Sequence, residues 1–283
     1  MELKVTIDGI KLNDKTNILD VDVPEYLQQR ISSGIPWMDE LLGGGFLATQ
    51  VIMLTGDPGA GKTTLSLQLA DAITATGNIC VYNSREESIA QVRNKIETLG
   101  LKNGFMVAPG YVFAGDLLEH CDRVKKANPN KQVFLVQDSL PTLDDGKYRG
   151  KKKRNSPALN WGRSAINGST PARVMTMLTN WAKETHGTVV CINHVTKSGQ
   201  YAGKGEVKHM IDTHLEMDLA RDNSRSVYMS KHRFGTTAER YIIQMTSAGL
   251  SLAGKEGVQV VDEEPANDTG TTKARRRRRL KAV

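Results

Sequence analysis

No run in this 283-residue sequence approaches the roughly 18 consecutive apolar residues of a membrane span. The opening residues Met1-Glu2-Leu3-Lys4 lack a basic region followed by an apolar one, so no secretory signal is read there. Cysteine is scarce. Cys80, Cys121 and Cys191 stand far apart, none forms a C-x-x-C pair, and two of them sit inside apolar runs. That leaves no zinc site of C-x-x-C type and reads as buried thiols in a reducing, cytoplasmic setting. Hydrophobic residues make up 39% and charged residues 24%. Those are ordinary values for a globular chain with one substantial core and a small appendage.

The net charge of +7 is uneven. Lys147, Arg149, Lys151, Lys152, Lys153 and Arg154 form one basic cluster, and Arg275 to Arg279, flanked by Lys273 and Lys281, form a second; the remainder is acidic overall. Local basic clusters point to polyanion contacts at two places, although a charge run is more often a solvated loop.

Gly56-Asp57-Pro58-Gly59-Ala60-Gly61-Lys62-Thr63 fits G-x-x-x-x-G-K-[ST], the phosphate-binding loop, with Thr64 following. Val51-Ile52-Met53-Leu54 before it is a buried-strand segment; after it Leu65, Leu69, Ala72 and Ile73 recur at helical spacing until Gly77. Strand, glycine loop and helix make an anion cradle from backbone N–H groups and a helix N-terminus. ATP with Mg²⁺ is the expected ligand: Lys62 reaches the β- and γ-phosphates, and the Thr63 hydroxyl faces the metal.

Around this motif the pattern is α/β. Val5-Thr6-Ile7 and Ile10-Lys11-Leu12 flank Asp8-Gly9 as a hairpin within a lead-in, residues 1–29. A core over residues 30–252 alternates strands and helices. Cys80 to Asn83, Val133 to Val136 and Val189 to Ile192 read as strands of a mostly parallel sheet covered by helices on both faces. Ser88 with Gln91 forms a capping box for a helix closed by Gly100, and Thr170-Pro171 reads as a cap and first helical position. Leu215 to Leu219, Ser226 to Ser230 and Tyr241 to Met245 read as an antiparallel extension, and residues 253–283 as a disordered basic tail.

Asp138 ends a hydrophobic strand, where a Mg²⁺-organising carboxylate belongs; a strand-end turn residue is the competing reading. Ser139, not Glu, follows it, so a catalytic glutamate must come from another strand. Glu86, beyond Cys80 to Asn83, is the candidate base for the attacking water, against the alternative of a helix-cap carboxylate. Asn94-Lys95-Ile96-Glu97 ends on the wrong residue for a guanine reader, and no Leu-Ser-Gly-Gly-Gln occurs, so GTPase and transporter classes fit poorly.

The chain resembles the ATPase core of bacterial RadA (Sms) proteins, in the RecA/DnaB superfamily, over about 220 residues from Arg30 to Leu250. The resemblance rests on Arg30 to Asp39, Leu42-Gly43-Gly44-Gly45, the phosphate loop, and Ser84-Arg85-Glu86-Glu87-Ser88. It continues through His194 to Gly199, Ala202-Gly203 and His209 to Thr213, to Lys231-His232-Arg233-Phe234-Gly235, with His232 where the family has Asn. A RecA-like core is implied. By the same resemblance His194 senses the γ-phosphate, and the loop Lys197 to Val207 faces DNA in a ring channel. Lys231 and Arg233, alternating on a strand, reach a neighbouring subunit's γ-phosphate.

Lys147 to Arg163, with Tyr148 and Trp161, stands where the superfamily has its first DNA-binding loop. The family's four-cysteine zinc module and Lon-protease-like domain are not in this sequence, which suits a compact phage or plasmid version. Three functions remain open. One is a DNA-stimulated ATPase, a ring-forming homohexameric motor or helicase on single-stranded DNA in recombination, repair or replication, with partner proteins from those processes. The second is a RecA-like recombinase filament, and the third a KaiC-like regulatory ATPase.

Overall fold

The computed structural model describes residues 5–7, 10–12, 17–147, 170–194, 206–237 and 239–257. In chain order these form strands β1 (Val5–Ile7) and β2 (Ile10–Leu12), then helices α1 (Glu25–Gln28) and α2 (Pro36–Leu41). There follow β3 (Val51–Gly56), α3 (Lys62–Ala75), β4 (Ile79–Ser84), α4 (Ile89–Thr98) and β5 (Met106–Val107). Next come α5 (Ala114–Ala127), β6 (Val133–Asp138), α6 (Thr170–Thr185), β7 (Thr188–Ile192) and α7 (Glu206–Met210). The last strands are β8 (Thr213–Leu219), β9 (Arg225–His232), β10 (Glu239–Thr246) and β11 (Gly249–Gly257).

β1 and β2 pair antiparallel as the expected hairpin, Ile7 opposite Ile10. All other described strands join one nine-stranded sheet in the order β11-β10-β9-β8-β3-β7-β6-β4-β5. From β8 to β5 every pairing is parallel. Successive β-strand side chains point to opposite faces, and both faces here are covered, so the strands read as continuous apolar runs. Along β3, Ile52 and Leu54 enter a core with α2, α3 and α4, while Val51 and Met53 enter a second core with α5 and α6. Phe134 and Val136 of β6 divide from Val133 and Leu135 in the same way.

Leu215 to Leu219, Ser226 to Ser230 and Tyr241 to Met245 are successive antiparallel strands as expected, β8 with β9 and β9 with β10; β8 in addition pairs parallel with β3, which joins the extension to the parallel sheet. The chain reaches β8 after α7, whose Val207 lies in the second core, and that crossover brings it back to start beside β3. One expectation needs correction: residues 253–257 are not tail, since β11 continues to Gly257 with Lys255 opposite Tyr241. Residues 258–283, including the Arg275 to Arg279 run, lie outside the described residues.

Signals whose partners are close in sequence agree with the structure. Ser88 and Gln91 form both halves of the capping box. Thr170, expected as a cap, is itself helical. α5 is not among the expected helices, although Leu117, Leu118, Cys121 and Val124 give it a buried face. All three cysteines are buried free thiols.

Gly56 ends β3 with φ 149°, and an added Cβ would stand 2.0 Å from the Met217 carbonyl oxygen. That carbonyl accepts the Asp57 N–H at 3.2 Å, so the loop's entry is tied to β8. Gly56→Ala must part β3 from β8 and should lower the thermal midpoint by about 4–8 °C. A scan with an unchanged midpoint would contradict this close approach.

Candidate nucleotide-binding site

Because β3, β4, β6 and β7 run parallel, their carboxyl ends lie along one rim, where ligands bind in open α/β sheets. The phosphate loop leaves β3 there, Glu86 follows β4, Asp138 ends β6 and His194 follows β7. Four distant sequence candidates thus meet at one place.

Within the loop Asp57, Pro58 and Gly59 are exposed, whereas Ala60 is buried and donates its N–H to the Asp57 carbonyl at 3.1 Å. Gly61, left-handed, precedes α3, which begins at Lys62. Lys62 Nζ donates to the carbonyls of Gly56 and Asp57 at 2.9 Å each. Burial disfavours its charge and lowers its pKa, against the pull of Asp57, Asp138 and Glu86. A partly desolvated ammonium in a bowl of backbone N–H groups is a strong attractor for phosphate oxygens.

Asp138 is 1% exposed. Its Oδ2 accepts from the Thr63 hydroxyl and the Tyr82 phenol, both at 3.0 Å. Its Oδ1 is buried with no hydrogen-bond partner among the described residues. Burial, then the nearby Glu86 charge, pushes the carboxyl above the usual range. A buried carboxylate with one orphaned oxygen, hydrogen-bonded to a hydroxyl, fits Mg²⁺, which prefers oxygen ligands and keeps several waters and phosphate oxygens. Thr63 and Asp138 are the residues that would hold it; bound, the ion supplies positive charge to the β- and γ-phosphates. Thr64 follows half-buried in the first turn of α3.

Glu86 carries two hydrogen bonds on one oxygen. His194 Nε2 lies 2.6 Å from Oε1, and the Ser139 hydroxyl donates to the same atom. A carboxylate only accepts, so Nε2 carries the hydrogen. The His194 bond comes first among the causes that hold the Glu86 pKa low; burial opposes it and the Ser139 bond assists it. The same bond raises the pKa of His194. Both of these bonds leave Oε2 unused, on a side chain that is 34% exposed. Ser139 and Tyr82 are not among the sequence candidates. Their roles depend on β4 lying beside β6, with Ser84 opposite Asp138, and no local pattern encodes that register.

Lys231 and Arg233 stand elsewhere. β9 runs antiparallel to β8, with His214 opposite Lys231 and the Arg233 N–H bonded to the Asp212 carbonyl, so Arg233 is level with Val51, where β3 begins, and Lys231 with Met53, two residues on. From Val51 to the phosphate loop the sheet extends about 16 Å. The strand ends at His232, so Arg233 is the first residue beyond it rather than a strand partner of Lys231. Both nevertheless converge on one segment. Lys231 Nζ donates to the carbonyls of Lys208 (2.9 Å) and Ile211 (2.6 Å), and Arg233 to the Asp212 carboxylate (2.9 Å) and the His209 carbonyl (3.1 Å). Arg30 joins the same corner, donating to the carbonyls of Leu42, Gly45 and Phe234. Between the two ends of the sheet sits His214, buried, bridging Thr55 of β3 and Ser230 of β9; burial lowers its pKa to about 4, so it is neutral. The expected DNA loops, Lys147 to Arg163 with Tyr148 and Trp161, and Lys197 to Val207, fall largely outside the described residues.

A parallel sheet with a phosphate loop, a strand-end aspartate and a glutamate from the adjacent strand defines the class: a P-loop ATPase core of RecA type. Comparisons agree. The ATPase family described as KaiC matches residues 31–145. Residues 114–261, just over half of the chain, belong to a family described only as a domain of unknown function, DUF4862, which adds no chemistry. The DNA repair protein RadA of Aquifex aeolicus is 30% identical over 244 residues, 86% of this chain and 50% of that protein. RadA of Rickettsia bellii is 32% identical over 79% of this chain and 46% of its own length. This chain thus spans about half the length of the curated relatives it matches. A solved DnaB-like replicative helicase superposes with a TM-score of 0.63 at 14% identity, over 78% of this chain and 61% of that one. A KaiC-like protein of Pyrococcus horikoshii gives 0.59 at 22%, over 80% and 99%. These two likenesses speak for the fold alone. The chain belongs to the RecA/DnaB superfamily, with a RadA-like core.

The Glu86–His194 bond yields a signed expectation. A histidine whose pKa is raised in the folded protein contributes stability that is complete below its unfolded value, about 6.5, and is lost as pH rises through the folded value. In NMR titration of the nucleotide-free protein, His194 should titrate above that value and fall back toward it in Glu86→Gln. An unshifted titration in that variant would break the pairing.

Proposed function

We propose that this chain hydrolyses ATP as a DNA-stimulated oligomeric motor on single-stranded DNA, in recombination, repair or replication. The supporting observation is a mismatch of ends. The phosphate loop, Glu86, Asp138 and His194 share the carboxyl rim of the sheet, whereas Arg233 lies at its amino end, about 16 Å away along the strands, and the Lys231 ammonium is drawn to the same end by the Lys208 and Ile211 carbonyls. An arginine side chain cannot span that distance to its own γ-phosphate. Cations of this kind serve a neighbouring subunit or serve no nucleotide at all. A closed ring, taken as a hexamer from the family resemblance, satisfies every site.

The chemistry follows from the side chains. The backbone of the loop and Lys62 hold the β- and γ-phosphates, and Thr63 with Asp138 would hold Mg²⁺. Glu86 Oε2 takes a proton from water as its oxygen attacks the γ-phosphorus. The bond from that phosphorus to the bridging oxygen breaks, and ADP and phosphate leave. Arg233 and Lys231 of the neighbour stabilise the charge on the transferring group. His194, bonded to Glu86 and followed directly by the loop Lys197 to Val207, links the state of the phosphates to that loop.

DNA as the partner rests on the two basic clusters and on the relatives' description as DNA repair proteins. The core is assigned to residues from 30 through β11, with the lead-in and tail as accessories. The KaiC-like regulatory ATPase, third among the expected functions, is the competing reading that the match over residues 31–145 favours. Turnover separates them. Single-stranded DNA should raise the steady-state rate of ATP hydrolysis, and Glu86→Gln should lower the rate by about 10²–10⁴-fold while ATP binding persists. Turnover indifferent to DNA would remove the motor and recombinase readings together and favour the regulatory one.

A further inference from the structure

Asp212 belongs to neither the phosphate site nor the basic loops, yet it is held on both sides by strand and guanidinium. It is 8% exposed and immediately precedes β8. Its N–H donates to the Val51 carbonyl at 2.9 Å, and the Val51 N–H donates to its Oδ2, also at 2.9 Å. Asp212 is thereby fixed to the first residue of the strand that carries the phosphate loop. Its outward atoms serve Arg233: Oδ1 accepts from Arg233 Nη1 at 2.9 Å, and its carbonyl accepts the Arg233 N–H at 3.0 Å. The second guanidinium nitrogen is held by the His209 carbonyl. Lys231 is bound by the carbonyls of Lys208 and Ile211, at the carboxyl end of α7, where helix carbonyls lack internal partners and favour cations.

We infer that Asp212 is a positioning residue for Arg233, setting the direction in which the guanidinium projects toward the next subunit and tying it to the segment that returns from the loop after His194. The inference rests on the reading that Arg233 acts in trans. Geometry gives the reason such a residue is needed. Arg233 follows the end of its strand, so no ladder pairing fixes its side chain, which is half exposed. A free arginine samples many rotamers; two nitrogens held along one edge leave the rest of the fork facing outward in one orientation. Because Lys208, His209, Ile211 and Asp212 belong to the loop's return helix and the turn that follows it, displacement of that segment carries both cations with it.

Asp212→Asn is the test. Asn keeps an acceptor for the Val51 N–H but cannot offer a charged acceptor to Arg233. Turnover of the homogeneous variant with single-stranded DNA should fall about 100-fold, the cost of a misplaced catalytic group, while ATP binding is kept. Each Asp212→Asn subunit retains its own Glu86. Mixed with Glu86→Gln subunits, which are inactive alone but carry an ordered Arg233, it should regain turnover at the mixed interfaces, as Arg233→Ala subunits should. A weakened fold would not be repaired by mixing. Wild-type turnover in Asp212→Asn, or recovery on mixing for Arg233→Ala but not for Asp212→Asn, overturns the positioning role. If neither variant recovers, the trans reading itself fails and the role of Asp212 falls with it.

Discussion

Strand direction is the constraint on which the rest of this molecule depends. In the parallel part of the sheet every strand delivers its carboxyl end to the same rim, and the site gathers there without any long-range guidance from side chains. β9, by pairing antiparallel with β8, carries its last residues to the opposite rim. That reversal divides the chemistry: the groups that hold a nucleotide lie at one end, and the cations of Lys231 and Arg233 at the other. Neither end is remade by local flexibility, since β3 and β8 are tied at both ends, by Asp212 to Val51 and by Met217 to Asp57.

This arrangement gives the segment between β7 and β8 a double attachment. At its start His194 bonds Glu86, the candidate base; at its end the carbonyls from Lys208 to Ile211 and the Asp212 carboxylate hold Lys231 and Arg233. The loop proposed to face DNA is thus strung between the chain's own nucleotide site and the cations it would present to the next. A change at either nucleotide reaches the same loop through charge-assisted hydrogen bonds rather than through diffuse packing. That is the physical content of coupling between hydrolysis and movement in the proposed motor.

What is legible in the sequence follows the range of the interactions. The phosphate loop, the four apolar strands, the Ser88–Gln91 capping box and the Asp8-Gly9 hairpin are encoded within a few residues and are readable as such. Glu86 and Asp138 can be selected because strand ends of a parallel sheet must converge. Tyr82 and Ser139 cannot, because their roles come from the lateral register of β4 on β6. Asp212 is visible as part of a motif but without a task, since its partners Val51 and Arg233 are far away in sequence and meet only when β8 inserts between β3 and β9. The antiparallel reading of Leu215 to Leu219 holds against β9, but the parallel pairing of β8 with β3 is not legible, because alternation of side chains does not reveal every neighbour a strand takes.

The claim that the nucleotide site is completed by a second copy is tested most directly by electron microscopy of the protein with single-stranded DNA and a non-hydrolysable ATP analogue. The account predicts closed rings in which Arg233 and Lys231 of one subunit approach the γ-phosphate bound at Lys62 and Thr63 of the next, with DNA in the channel. Subunits whose γ-phosphates face no neighbour's Arg233, in rings, filaments or monomers alike, would contradict it.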